Sequence, residues 1–372
     1  MGSNKQLIGG EITMYNDVYR GKTVLVTGHT GFKGSWLSIW LTHMGAKVVG
    51  YSLDPYSDKG NFEASHLHDK LYADVRGDTR DLAHLDEVVK KYQPEIVFHL
   101  AAQALVRTSY EQPRETFETN IMGSLNVMEV MRKNDCLKTA IMITSDKCYE
   151  NVEQIWGYKE TDRMGGEDPY SASKGCTELM LYAYRQSFFN PSQYAKHGKA
   201  VATVRAGNVI GGGDWSDNRL IPDCIRFIEA GKPIEIRNPV ATRPWEHVLE
   251  PLSGYLKVGQ KLLEDPVKYA TSFNFGPHIS ANKTVLEVTR RLVEYYGKGE
   301  VVDASDPNAV HENTLLNLDV TKAYVMLQWE AKWGLQEMIE KTVDWYKEAL
   351  VSDDMWDFCV KQILDHGEHL AK

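Results

Sequence analysis

Residues 143–150 read ITSDKCYE, so that a hydroxyl, a carboxylate and an ammonium, Ser145, Asp146 and Lys147, follow one another where an apolar run ends. Side chains of these kinds, held together, can give a proton to one atom of a small molecule and take one from its neighbour. A second set, DPYSASK at 168–174, spaces Tyr170 and Lys174 four apart. With Asp168 as N-cap and Pro169 as the first helical residue, that spacing predicts one helix face carrying a phenol and an ammonium. A phenol is a poor base at neutral pH, and lowering its pKa by about three units takes roughly 4 kcal/mol of preference for the phenolate. One cation at about 4 Å supplies roughly 4 kcal/mol at an effective dielectric of about 20, so Lys174 is a perturbation of the right size. Taken singly, each set also resembles a solvated turn or an exposed helix pair. The elements around them decide.

A third set, TGHTGFKG at 27–34, places Gly28, Gly31 and Gly34 around Thr30 and Phe32, between a β-branched run and a helical pattern. Glycine there permits the turn, lets a pyrophosphate approach the main chain, and leaves helix N-terminal amides aimed at it. The order strand, glycine loop, helix is the context that turns a weak motif into a dinucleotide site. The second run ends VVGYSLDP, which puts Ser52 where a ribose-binding carboxylate is expected and Asp54 two residues on; no Arg follows to meet a 2′-phosphate. The expected cofactor is NAD.

Short apolar runs alternate with helical patterns from Lys22 onward: KTVLVTG, AKVVGYS, LYADV, EIVFHLAA, TAIMITS and KAVATVRAG. That rhythm predicts an α/β fold, a doubly wound parallel-sheet Rossmann domain, with strands apolar on both faces. After Gly207 the rhythm breaks into GNVIGGGDWSDNRLIPD and IRNPVATRPWEHV, which read as ligand-facing loops of a smaller mixed α/β substrate domain. The expected division is 20–206 for the NAD-binding domain, with part of 240–275 returning to it, and 207–240 with 276–360 for the smaller substrate-binding domain.

Composition removes other classes. The net charge of -9 provides no global field for a nucleic-acid backbone, so no nucleic-acid partner is expected. No run approaches the eighteen or so apolar residues of a membrane span, and residues 1–20 read as a ragged terminus without a signal-peptide core. Five scattered cysteines without CxxC spacing argue against disulfide frameworks and structural zinc, and point to reduced thiols in a cytoplasm. His366 and His369 share helical spacing near the end but read as a solvated helix terminus, so no metal is expected.

Together, TGHTGFKG, HLAAQ, Ser145 and YSASK resemble the extended short-chain dehydrogenase/reductase family, over nearly all of residues 20–350. Within it, an acid and a second polar residue directly after Ser145 resemble the nucleotide-sugar 4,6-dehydratases. The Asp-Lys version in TSDKCYEN, with RAGNVIGGGDW and RPWEHVLEP, is similar to the branch that acts on CDP-hexoses. The resemblance implies a hydro-lyase reaction: oxidation at carbon 4 of the sugar, loss of water across carbons 5 and 6, and hydride return to carbon 6. It implies that Tyr170 takes the 4-hydroxyl proton, Ser145 helps hold it, Asp146 protonates the departing 6-hydroxyl, and Lys147 handles the carbon 5 proton. An ammonium cannot accept a proton, so Lys147 is either partly neutral or a stabiliser of the enolate. The resemblance further places Asp74 and Val75 against adenine, Leu100, Ala101 and Ala102 beside the cofactor's ribose and phosphates, and Asn208, Arg219 and Arg243 on the substrate diphosphate. It sets His311 and Glu312 toward the nucleotide. It implies a homodimer or dimer of dimers through helices around 113–134 and 168–189, and a role in making surface polysaccharide such as lipopolysaccharide. Two alternatives stand beside this: an epimerase of the same family, which needs no elimination pair, and a non-catalytic dinucleotide-binding regulator.

Overall fold

A computed structural model describes residues 14–278, 281–305 and 316–370. The six apolar runs form β1 (Thr23–Thr27), β2 (Lys47–Ser52), β3 (Ala73–Arg76), β4 (Ile96–His99), β5 (Thr139–Ile143) and β6 (Ala200–Ala206). Further strands follow: β7 (Asn208–Ile210), β8 (Ile234–Ile236), β9 (Thr242–His247), β10 (Ser272–Phe275), β11 (Asn282–Thr284) and β12 (Val301–Asp303). The main sheet runs β10-β6-β5-β4-β1-β2-β3 with every neighbouring pair parallel.

Alternate residues of these strands feed two separate cores. Val24, Val26, Ile96, Phe98, Ile141 and Val204 pack on one face with Trp36 and Trp40, from the helix Phe32–His43, and with the helix Leu249–Glu264. Leu25, Val49, Val97, Ala140 and Val201 pack on the other face, against the helices Leu82–Tyr92, Gly123–Lys133 and Pro169–Ser187. Strands covered on both faces explain why the runs read as continuously apolar. The chain order reverses between β1 and β4, so a crevice opens at the carboxyl ends of those strands, where open α/β sheets bind ligands.

Beyond β6, β7 pairs parallel with β9 and β9 antiparallel with β11, while β8 and β12 form a separate parallel pair. β10 then rejoins the main sheet beside β6. The first described residues are docked. Tyr19 is buried with its hydroxyl 2.5 Å from the Leu256 carbonyl, and the Tyr15 hydroxyl donates to Ser253 O at 3.1 Å, so a ragged start extending to residue 20 is corrected. The histidine reading is corrected too. His366 is buried rather than solvated, packed against Trp333 at a ring distance of 5.0 Å and 3.1 Å from Glu250 Oε2.

Candidate active site

The crevice is a cleft of about 1010 Å³ that runs from the glycine loop to the 145–147 turn. At one end Gly28 has a φ of +74°, and a Cβ there would lie 2.7 Å from the Ala101 amide nitrogen. A Cβ on Gly34 would meet the Gly28 carbonyl oxygen at 2.0 Å, so the first helical turn closes onto the loop only without a side chain. Gly31 caps the helix Phe32–His43 with no side chain bonded to its amides. Thr30 and Phe32 complete this wall. Ser52 follows, its hydroxyl 2.8 Å from Thr30 Oγ1, with Leu53 and Asp54 beside it. Leu100, Ala101 and Ala102 line the floor. These residues make a small-residue, main-chain-rich trough at the end of β1, which fits a dinucleotide diphosphate and its ribose.

Near the far end of this trough the expected adenine contacts are arranged differently. Asp74 and Val75 do not line the cleft; Gly77, Asp78 and Thr79 do. Asp74 instead meets the buried His29 Nε2 at 2.7 Å and is hydrogen-bonded by Arg76. Burial raises its carboxyl pKa, but those two hydrogen bonds outweigh burial and hold it below the usual carboxylate value. The chain has no Arg directly after β2, yet the sheet supplies one, because register sets Arg76 opposite Ser52. Arg76 is engaged by both Asp74 and Asp54, so it is not a free receptor for a 2′-phosphate.

At the other end, Ser145, Asp146 and Lys147 sit in a single 3-10 turn, Asp146–Cys148, immediately after β5. The Ser145 hydroxyl caps it, accepting from the Lys147 amide at 3.2 Å and donating to Asp146 Oδ1 at 2.9 Å. The helix Pro169–Ser187 begins as its residues dictate, with Asp168 Oδ1 accepting from the Ser171 amide at 2.9 Å and Pro169 at the first position. Tyr170 and Lys174 then face the same cleft as the turn, both buried.

Charge in this end is set mainly by desolvation. Burial pushes Asp146 above the usual carboxylate value, opposed by Lys147 and the Ser145 hydrogen bond, which favours a protonated acid. Burial and then the Lys33 ammonium bring Lys174 down to about 8. Tyr170 is pushed up to about 12 by burial, against a hydrogen bond from Ser145. The expected depression of Tyr170 by Lys174 is therefore not a property of the protein alone; desolvating the phenolate costs more than its polar neighbours return. Burial and then Lys174 bring His99 down to about 3, which makes it a neutral bridge between Thr27 Oγ1 at 2.7 Å and Ser124 Oγ at 2.9 Å.

The remaining wall comes from the later segment. Asn208 on β7, Arg219 and Arg243 all line the cleft. Arg219 Nη1 lies 3.0 Å from the buried Asp214 Oδ2, and Arg243 Nη1 donates to Thr242 O at 3.0 Å. His311 and Glu312 lie outside the described residues. Among the described residues no group of three or more His, Cys, Asp or Glu could hold a metal ion.

Sequence reasoning missed several residues here. Lys33, in the GFKG of the third set, lines the cleft, and burial brings it down to about 8. Glu246 on β9 is buried with no hydrogen-bond partner of ordinary geometry for either oxygen; burial raises its pKa well above the usual, opposed chiefly by Lys33. A charged residue inside an apolar strand pattern, as at Arg205 or Glu246, was the available signal, because such a group needs a partner or a proton.

Comparison with known proteins identifies the family and the fold. A family profile described as GDP-mannose 4,6 dehydratase matches residues 25–342. The chain is 48% identical to a CDP-glucose 4,6-dehydratase of Salmonella typhimurium, over 94% of this chain and 97% of that protein. The structure resembles UDP-glucose 4-epimerase from Thermotoga maritima with UDP-glucose, with a TM-score of 0.73, 25% identity and coverage of 88% and 99% of the two chains. It also resembles the dTDP-glucose 4,6-dehydratase of Bacillus anthracis in complex with NAD, with a TM-score of 0.72, 20% identity and coverage of 88% and 97%.

Proposed function

From the premise that this chain belongs to the GDP-mannose 4,6-dehydratase family, we propose that it is an NAD-dependent lyase that converts CDP-D-glucose to CDP-4-keto-6-deoxy-D-glucose and water. The observation that carries the reading is the meeting, in one cleft, of a Tyr–Lys helix face with a Ser-Asp-Lys turn. The first can start an oxidation at one carbon and the second can eliminate water from its neighbours, and an epimerase has no use for the second.

NAD, when bound, would supply the hydride acceptor for carbon 4 and the hydride source for carbon 6. Gly28, Thr30, Gly31, Phe32 and Gly34 would hold its diphosphate, Ser52 a ribose, Asp78 and Thr79 the adenine end, and Leu100–Ala102 the floor. Lys174 and Tyr170, on the same cleft, would stand at its reacting end. Tyr170 takes the proton of the 4-hydroxyl, with Ser145 hydrogen-bonded to the same oxygen. The added positive charge at the nicotinamide works in the direction the phenol needs. The 4-ketone acidifies carbon 5, where Lys147 serves either as a neutral amine that takes the proton or as an ammonium that stabilises the enolate, while Asp146, whose pKa burial raises, gives its proton to the leaving 6-hydroxyl. Arg219, Arg243 and Asn208 would receive the substrate diphosphate, guanidinium being suited to two parallel hydrogen bonds. His311 and Glu312 belong to the same reading.

The division into 20–206 and the later segments corresponds to these two jobs, cofactor and sugar nucleotide, with 240–275 shared. A homodimer or dimer of dimers is supported by apolar side chains left exposed at Met122, Leu179 and Tyr182 on the helical segments at 113–133 and 169–187. Five free cysteines suit a cytoplasmic setting, and no helix of the described residues is long and apolar enough to cross a membrane. The test is turnover of CDP-, dTDP-, GDP- and UDP-hexoses with NAD, read by the alkali-absorbing 4-keto-6-deoxy product. Preference for CDP-glucose is expected. A carbon 4 epimer without that product would give the site to the epimerase reading.

A further inference from the structure

Behind the catalytic wall lies a buried ion pair, Glu178 with Arg205, whose side chains are 4% and 3% exposed. Glu178 stands one turn beyond Lys174 and two beyond Tyr170 on the same helix. Its Oε1 accepts from Arg205 Nε at 2.8 Å and from Thr144 Oγ1 at 2.5 Å; its Oε2 accepts from Arg205 Nη2 at 2.7 Å and from Thr203 Oγ1 at 2.9 Å. The remaining arm of the guanidinium, Nη1, donates to the Tyr149 hydroxyl at 2.5 Å, and that hydroxyl donates in turn to Asn274 Oδ1 at 2.7 Å on β10. The guanidinium also lies 5.0 Å from the centre of the Tyr149 ring.

Thr144 and Tyr149 are the residues on either side of the segment 145–148. One carboxylate and one guanidinium thus hold both ends of the turn that carries Asp146 and Lys147, and fix them to the helix that carries Tyr170 and Lys174. Joining the helix to the sheet would require only the contacts among Glu178, Thr203 and Arg205. The arms to Thr144 and Tyr149 do something else: they set the register of the turn against the helix. We propose that Glu178 and Arg205 are positioning residues for the elimination step, acting through Thr144 and Tyr149 to keep the acid at 146 and the amine at 147 over carbons 6 and 5 while carbon 4 is held at Tyr170. The inference rests on the dehydratase reading. It follows from the tolerance of such chemistry, in which a misplacement of about 1 Å costs on the order of a hundredfold.

The variants that test it are Tyr149→Phe and Thr144→Val, which keep the ion pair and remove one arm each. Two substrates separate the steps. CDP-glucose requires oxidation and elimination, whereas CDP-6-deoxyglucose has no leaving hydroxyl and can only be oxidised at carbon 4, read as NADH fluorescence. Each variant is expected to lower kcat on CDP-glucose and deuterium exchange at carbon 5 by about tenfold or more, with KM and the oxidation of CDP-6-deoxyglucose held within about twofold. The ratio of the two activities in one preparation does not depend on the fraction folded. Equal losses in both reactions, or no loss in either, would overturn the positioning role while leaving the dehydratase reading intact. Failure of the unaltered enzyme to convert CDP-glucose would overturn both.

Discussion

Glu178 and Glu246 are buried to nearly the same depth, 4% and 2% exposed, and both lie in the shell around the 145–148 turn, yet they are opposite kinds of carboxylate. Glu178 receives four hydrogen bonds, two of them from a guanidinium, and although burial raises its pKa these partners hold it below the usual value. Glu246 has no partner of that quality, and burial wins, so its pKa lies well above the usual. Depth therefore does not decide whether a carboxylate is a fixed charge or a proton holder; the donors arranged around it do. Asp146 stands between these cases, with one hydroxyl, a neighbouring ammonium and a raised pKa, which is the condition a general acid needs.

The contrast breaks most visibly at Glu178→Ala. This leaves Arg205 buried without its counter-ion, and a loss of about 3–5 kcal/mol in denaturant unfolding is expected. Thr203→Val removes one hydrogen bond to the same charged group and should cost about 1.5–3 kcal/mol. Glu246→Gln substitutes a neutral group for one that already favours neutrality, so a change on the order of 1 kcal/mol, toward greater stability, is expected at neutral pH.

The pH dependences of the two sites have opposite sign. Glu178 has a folded pKa below its ordinary 4.5, so its contribution is fully present above pH 4.5 and is lost as pH falls through the folded value. Glu178→Gln should flatten the acid limb of the stability curve. Glu246 has a folded pKa above 4.5, so the native state holds its proton longer than the unfolded chain, and stability declines as pH rises through that interval. The advantage of Glu246→Gln over the unaltered protein should therefore widen from pH 4.5 upward, as followed by melting temperature across buffers. A margin that shrinks with rising pH would mean that Glu246 is charged in the fold.

The parts of the molecule that follow from local chemistry were legible in the sequence. The glycine loop, the capped helix at Asp168 and Pro169, and the six apolar runs each announce themselves by residue type and period. What escaped was what register and long-range packing supply. Asp74 was expected against adenine, but β2–β3 register gives it Arg76 and the loop gives it His29, which leaves Gly77–Thr79 on the cleft. Tyr170 was expected to be acidified by Lys174, a pairwise argument that omitted the cost of burying the phenolate. His366 has the spacing of a solvated helix end, and only the approach of Trp333 and Glu250 from distant segments makes it a core residue.

The return of β10 to the main sheet governs how this chain can be made. β6 is buried along its whole length, and one of its edges is covered only when Ser272–Phe275 arrive from the far side of β7–β9. Until the ribosome has synthesised that stretch, the nascent polypeptide carries a bare apolar β edge, a template for intermolecular pairing. A fragment ending at Ala206 should therefore emerge as inclusion bodies rather than as an autonomous nucleotide-binding module, however complete its motifs look on paper.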